Sequence, residues 1–327
     1  MTFQPHPPLQ QYQSHGYYDS FIENIHDNKD AHVAAKLQEA IAIELSQVTA
    51  EEYQLDVLKH MEYMEMKTMP DIRSIEAQTE IRWFMRPYLL DFLLETHHVF
   101  QLLPETLHLA VNLLDRYCSR RVVYRHHYQL VGCAALLIAL KYSDRKDQMP
   151  TIREVKSMCC SLYDNDMFIQ MEWHMLQTLD WTIGHPTVTC FLQLALIETG
   201  SDPELEHMTG YISELALYHK EFIPVRPSAM ATSALILARH ILGRPHPRLS
   251  GWLTRYDPQV VINLSKCLTL PSQTLFLKYS APHLSSVSMT VDLFLRRQAV
   301  LQCAKHHVDL RLLNLETLAS SSIQFNP

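Results

Sequence analysis

Glycine is scarce in this sequence: seven of 327 residues, about 2% where roughly 7% is usual. A phosphate-cradling loop needs glycine at G-x-G-x-x-G or G-x-x-x-x-G-K-[ST] spacing, because a side chain would hold the backbone away from the phosphate. Neither spacing occurs. Asn-Gly and Asp-Gly are absent as well, which removes the strongest signal for two-residue β-hairpins. The longest apolar run, Leu130 to Leu140, has 11 residues, well short of the ~20 that a membrane-spanning helix needs. The seven cysteines include the adjacent pair Cys159 and Cys160 but no C-x-x-C, which suits free thiols in a reducing compartment. Basic charge is neither abundant nor clustered: 28 Lys and Arg against 35 Asp and Glu give a formal charge of −7. That balance argues against a direct nucleic-acid partner and for a protein partner. Met1 to Ser14 is polar and lacks the charged-then-apolar order of a signal peptide.

What is present is helical. Hydrophobic residues make up 47% of the chain, enough for two cores at this length. Ala31 to Val48 carries Val33, Leu37, Ile41 and Leu45 every four residues, a narrow apolar stripe. Thr49 followed by Glu52 reads as a capping box opening a second helix to about Met66. From there, helical stretches alternate with short polar joints. Start signals stand at Pro104, at Thr151 with Glu154, and at Asp164, and again at Pro186, Asp202-Pro203 and Asp257-Pro258. Five helices fit between about 79 and 181, and a comparable set follows Gly184.

A gapless shift of 99 residues superposes part of the first set on the second. It pairs Pro87 with Pro186, Phe92 with Phe191, Leu93 with Leu192, Pro104 with Pro203 and Glu105 with Glu204. It also pairs His108 with His207, and Ala135, Leu136 and Ala139 with Ala234, Leu235 and Ala238. The expected organisation is all-α: an N-terminal arm (1–29), N-terminal helices (30–70), two tandem five-helix bundles (71–183 and 184–284), and appended helices with a tail (285–327). Gly132 lies inside the buried third helix of the first bundle, where its missing side chain permits close packing.

Nineteen histidines raise the question of metal. The adjacent pairs His97-His98, His126-His127 and His306-His307 point about 100° apart on a helix and chelate poorly. Glu105 with His108 and Glu204 with His207 form two E-x-x-H motifs, half of what a di-iron carboxylate bundle requires. Both lie in a helix's first turn, where acidic side chains suit the dipole without any metal, and the repeat places them in separate bundles. No metal or cofactor is expected, and no G-x-S-x-G elbow marks a nucleophile.

Four collinear blocks carry a family resemblance. They are M-R-P-Y-L-L-D-F-L (Met85 to Leu93), P-E-T-L-H-L-A-V-N-L-L-D-R-Y (Pro104 to Tyr117), Q-L-V-G-C-A-A-L-L-I-A-L-K-Y (Gln129 to Tyr142) and M-E-W-H-M-L (Met171 to Leu176). The first resembles the M-R-x-x-L-x-D-[WF]-L signature of the cyclin box, and the rest follow at family spacing. Tyr53 to Pro70 is similar to fungal G1/S cyclins of the Cln class. The resemblance implies two five-helix cyclin boxes and a non-catalytic activating subunit that forms a heterodimer with a cyclin-dependent kinase at G1/S. A cyclin-fold transcription protein and the di-iron bundle are the alternatives.

The same resemblance assigns roles. Arg86 and Asp115 match a buried salt bridge joining the first two helices of the first box. Lys141 and Glu172 match the polar residues that grip the kinase, with Tyr142, Leu176, Trp181 and Ile183 as apolar neighbours and Tyr53 and Asp56 as further contacts. Met85, Tyr88, Leu89 and Phe92, with Arg125 and Gln129, match a patch that docks short motifs of substrates or inhibitors. Pro87 and Tyr88 depart from the family's usual Ala and aliphatic residue there. No Ser-Pro or Thr-Pro dipeptide offers a proline-directed phosphorylation site. No membrane association is expected, and nucleus and cytoplasm are the expected locations.

Overall fold

The computed structural model describes residues 16–144, 150–159, 162–199, 202–245 and 251–301, and among these residues there is no strand. The chain divides into a unit up to His60 and a unit from Met61 onward. Helix α1 (Gly16–Lys67) supplies the first unit. It is continuous where two helices are expected: the Thr49 hydroxyl donates to the Leu45 carbonyl at 2.7 Å, a bond made inside a helix, so it caps nothing. The expected arm is helical from Gly16, and its residues 1–15 lie outside the described residues. Along α1, Val33, Leu37, Ile41 and Leu45 are all exposed.

After the short α2 (Ile72–Glu76) come five helices: α3 (Arg86–Val99), α4 (Pro104–Arg120), α5 (Tyr128–Ser143), α6 (Ile152–Met158) and α7 (Asn165–Thr178). Helix α5 is apolar all round, so it must be enclosed; Leu130 through Leu140 are buried, and α3, α4 and α7 pack on it. Gly132 allows α3 to approach: a Cβ there would stand 2.8 Å from the Leu89 Cδ1. The capping box forms, with the Glu154 amide donating to the Thr151 hydroxyl and the Thr151 amide to the Glu154 carboxylate. Asp164 holds the N-cap position of α7 without a capping bond and faces Lys156 at 3.5 Å instead.

The second set repeats the plan in α8 (Val188–Thr199), α9 (Pro203–Leu217), α10 (Pro227–Ile241), α11 (Pro258–Cys267) and α12 (Gln273–Ser280). Helices α9 and α10 begin 99 residues after α4 and α5, the offset of the sequence repeat. Helix α8 starts two residues after Pro186. Asp202 and Asp257 cap as expected, accepting from Leu205 and Gln259. Central α10 packs on α8, α9 and α11, and Ala231, matching Gly132, is fully buried. A last helix, α13, covers 287–301, where description ends. No helix among the described residues is long and apolar enough to cross a membrane.

Candidate functional site

Each bundle is pinned by a buried ion pair on its second helix. In the first, Arg86 of α3 meets Asp115 of α4 through two hydrogen bonds of 2.5 and 2.9 Å, and both are nearly inaccessible. Burial opposes the guanidinium charge most strongly, yet Asp115 more than offsets it, and the Arg86 pKa is raised. The Arg86 Nε donates to the Leu217 carbonyl at the end of α9, so the same side chain ties the two bundles. In the second, Glu214 of α9 accepts from Lys278 of α12 at 2.7 and 2.8 Å and from the Tyr279 hydroxyl at 3.0 Å. Burial works against its ionisation, but Lys278 holds the carboxyl below the usual range.

The exposed end of α5 and the adjoining α7 bring Lys141 and Glu172 together, Nζ to the carboxylate oxygens at 2.6 and 2.7 Å. Lys141 is nearly half exposed and Glu172 largely covered. Tyr142 is exposed, and its hydroxyl would stand 2.8 Å from a Cβ on Gly184. Leu176 and Ile183 are half-buried. Trp181 is exposed and packs edge-on against exposed Trp173, ring centroids 5.4 Å apart. Tyr53 and Asp56 lie exposed on α1, and Asp56 faces Lys59 at 3.4 Å.

The turn that presents Trp181 is strained. Asp180 and Trp181 have φ of 53° and 56°, a left-handed conformation that costs non-glycine residues about 1 to 3 kcal/mol. Helix α4 over-determines it: Arg120 donates to the Thr178 carbonyl and the Asp180 carboxylate, and buried Arg116 donates to the Thr182 carbonyl at 2.8 Å. With desolvation dominant and Arg120's charge adding to it, the Arg116 pKa falls to about 10. Asn112 donates to the Thr68 carbonyl, and the Thr68 hydroxyl meets His185 at 2.7 Å. Glu65, also buried, accepts from the Ser228 amide and hydroxyl at the start of α10. Among these, Arg116 and Arg120 were legible only as a basic spacing of four on α4; their partners lie about 60 residues away.

The docking stripe does not form one exposed face. Leu89 is buried over Gly132 and is core. Phe92 is half-buried against a cluster of Leu130, Cys133 and Phe168, and Met85 and Gln129 are half-buried. Tyr88 is 75% exposed, and Arg125 is exposed. Neighbouring helical residues point about 100° apart, so 88 and 89 divide between solvent and core.

The two E-x-x-H motifs lie in separate bundles, on α4 and α9. His108 Nδ1 meets the Pro104 carbonyl, His207 meets the Ser285 hydroxyl, and Glu204 pairs with Arg244. Cys118, Cys133, Cys159, Cys190 and Cys267 are free thiols; Cys160 and Cys303 lie outside the described residues.

Comparison with known proteins agrees with this architecture. The family model "Cyclin, N-terminal domain" matches residues 56–184, and "Cyclin, C-terminal domain" matches 186–293. The chain is 40% identical over 246 residues to the G1/S-specific cyclin CCN1 of Candida albicans, covering 69% of this chain and 35% of that protein. It is 43% identical over 204 residues to cyclin puc1 of Schizosaccharomyces pombe, covering 62% of this chain and 54% of that one. The G2/mitotic-specific cyclin cdc13 of the same yeast is 31% identical over 256 residues, covering 76% and 53%. The chain thus spans between about a third and a half of the length of these relatives. The X-ray structure of a viral cyclin from herpesvirus saimiri superposes with a TM-score of 0.52 at 21% identity, covering 73% of this chain and 97% of that one. At that identity the likeness concerns the fold.

Proposed function

This chain belongs to the cyclin family, and on that premise we propose that it is a non-catalytic activating subunit of a cyclin-dependent serine/threonine kinase acting at G1/S. The observation that carries the reading is the Lys141–Glu172 pair at the open end of the first bundle, flanked by exposed Tyr142, Trp173 and Trp181. Exposed aromatic anchors beside a small number of charged groups suit a partner surface. In the free chain the two charges satisfy each other. Against a partner, the ammonium donates to backbone carbonyls and the carboxylate accepts backbone N–H groups, while the tryptophans and Tyr142 supply apolar contact. The mechanism is selection of a conformation. A surface that fits the kinase only with its regulatory helix turned in raises the population of the state in which that helix's Glu pairs with the ATP-positioning Lys. The kinase supplies the ATP and Mg²⁺ chemistry.

Similarity to fungal G1/S cyclins supports the placement in the cell cycle. Tyr88 and Arg125, with half-buried Met85, Phe92 and Gln129, offer a reduced docking patch for short substrate or inhibitor motifs. The complex works in nucleus and cytoplasm. Mixing the recombinant chain with a purified cyclin-dependent kinase and following peptide phosphorylation tests the proposal. Complex formation with stimulated phosphorylation is expected, and no complex with no stimulation would overturn it.

A further inference from the structure

One group of three metal-ligating side chains converges among the described residues: His219, Glu221 and Cys267. His219 and Glu221 flank Lys220 at the turn between α9 and α10 (Lys220–Phe222 is a 3₁₀ turn), and Cys267 is the last residue of α11. The donor atoms all lie within 4.8 Å of one another, with His219 Nδ1 and the Glu221 Oε1 at 3.9 Å. Zinc bonds of about 2.0 to 2.3 Å in a tetrahedron put donor atoms about 3.3 to 3.6 Å apart, so donors within 4.8 Å of one another need close by no more than about 1.5 Å.

The donors are also uncommitted. Several other histidines and acids among the described residues have close partners: His185 the Thr68 hydroxyl, His174 the Tyr117 hydroxyl, His207 the Ser285 hydroxyl, Glu214 the Lys278 ammonium. The His219 ring has the Glu221 carboxylate at 3.9 Å and the Phe222 ring edge-on, both beyond hydrogen-bond distance. The intervening Lys220 is turned elsewhere, its ammonium 2.9 Å from Glu76 and over the Trp83 ring. Cys267 and His219 are half-buried while Glu221 is exposed, leaving the fourth position open to water.

We propose that His219, Glu221 and Cys267 bind a divalent zinc-like cation that clamps the α9–α10 turn to the end of α11. One imidazole, one carboxylate and one thiolate make a donor set suited to Zn²⁺ over Mg²⁺ or Ca²⁺. Binding forms the metal–sulfur bond with loss of the thiol proton, one proton released to solvent per ion bound. Nothing in the sequence spacing points to this site, because Cys267 lies 48 residues after His219.

The test uses the full chain, stripped of metal and free of added histidines, titrated with Co²⁺ and Zn²⁺. One equivalent of Co²⁺ is expected to give a sulfur-to-cobalt charge-transfer band that Zn²⁺ displaces. Cys267→Ser should abolish that band, and His219→Gln and Glu221→Gln should each weaken binding roughly tenfold or more. Circular dichroism reports whether each variant keeps its helical content, and two isosteric glutamine variants guard against a single misfolded one. No charge-transfer band in the parent chain, or a band that persists undiminished in Cys267→Ser, overturns the assignment.

Discussion

The two bundles are built on one plan and finished differently at the same end. The 99-residue offset carries Lys141 and Tyr142 of α5 onto His240 and Ile241 of α10. In the first bundle that helix end is open, with Lys141, Tyr142, Trp173 and Trp181 exposed. In the second, Ile241 is buried, and His240 packs edge-on against Phe294 of α13, centroids 5.9 Å apart. At the second end α13 sets Phe294 edge-on to a His240 that stays exposed, and at the first the exposed groups are those proposed above to meet a partner. The offset also carries Asp115 onto Glu214, so both second helices bury an acid at the same place. The cation comes from the first helix in one bundle and the last in the other.

That difference sets an order of expected losses. The Asp115 carboxylate has Arg86 as its side-chain partner, so Arg86→Met should cost about 3 to 5 kcal/mol by leaving an uncompensated buried charge. Lys278→Met should cost less, about 1 to 3 kcal/mol, because the Tyr279 hydroxyl still donates to Glu214. Urea unfolding of the two variants measures both; equal losses would show that the pairs are equivalent after all.

Acid should weaken the seam next to the second pair. His97, buried and bonded to the Leu103 carbonyl at 2.9 Å, has its pKa lowered to about 4, by burial first and then by Lys278's charge. The unfolded chain's histidine titrates near 6.5, so below that pH the unfolded state binds the proton first. Stability is complete above about pH 6.5 and falls as pH drops towards 4, by up to about 1.4 kcal/mol per unit for this group. Thermal melts at stepped pH should show the decline, with a shallower slope for His97→Gln; an unchanged slope would remove His97 from the account.

The smallest effects lie at the matched helix contacts. Gly132→Ala places a methyl 2.8 Å from the end of the Leu89 side chain, which can shift, so a loss of about 1 kcal/mol is expected. Ala231→Gly in the second bundle should lose about 1 to 2 kcal/mol through helix propensity and the loss of a buried methyl. Trimming Leu89 to Val should relieve the first and leave the second untouched, as thermal melts of the double variants would show.

Where the sequence spoke clearly, the signal was local. Pro104, the Thr151–Glu154 box and the caps at Asp202 and Asp257 need only their neighbours, and they mark the starts of α4, α6, α9 and α11. Thr49 misleads because the same hydroxyl bonds backward inside a helix as readily as forward at its start. The stripe Met85, Tyr88, Leu89 and Phe92 has helical spacing, but spacing alone does not tell which edge of it faces inward. Gly132 opposite Leu89 decides that. The Glu214–Lys278 pair spans 64 residues, and the left-handed turn at Asp180 and Trp181 is held by arginines from another helix. Both depend on packing that no short window contains.

The most direct measurement compares kinase binding by Lys141→Ala/Glu172→Ala with that by His240→Ala, each alongside its thermal melt. The open-end account predicts that the double variant loses binding and stimulation while its helical content and melting temperature match the parent, and that His240→Ala binds as the parent does. Undiminished binding by the double variant, or loss of its fold together with its binding, would contradict it.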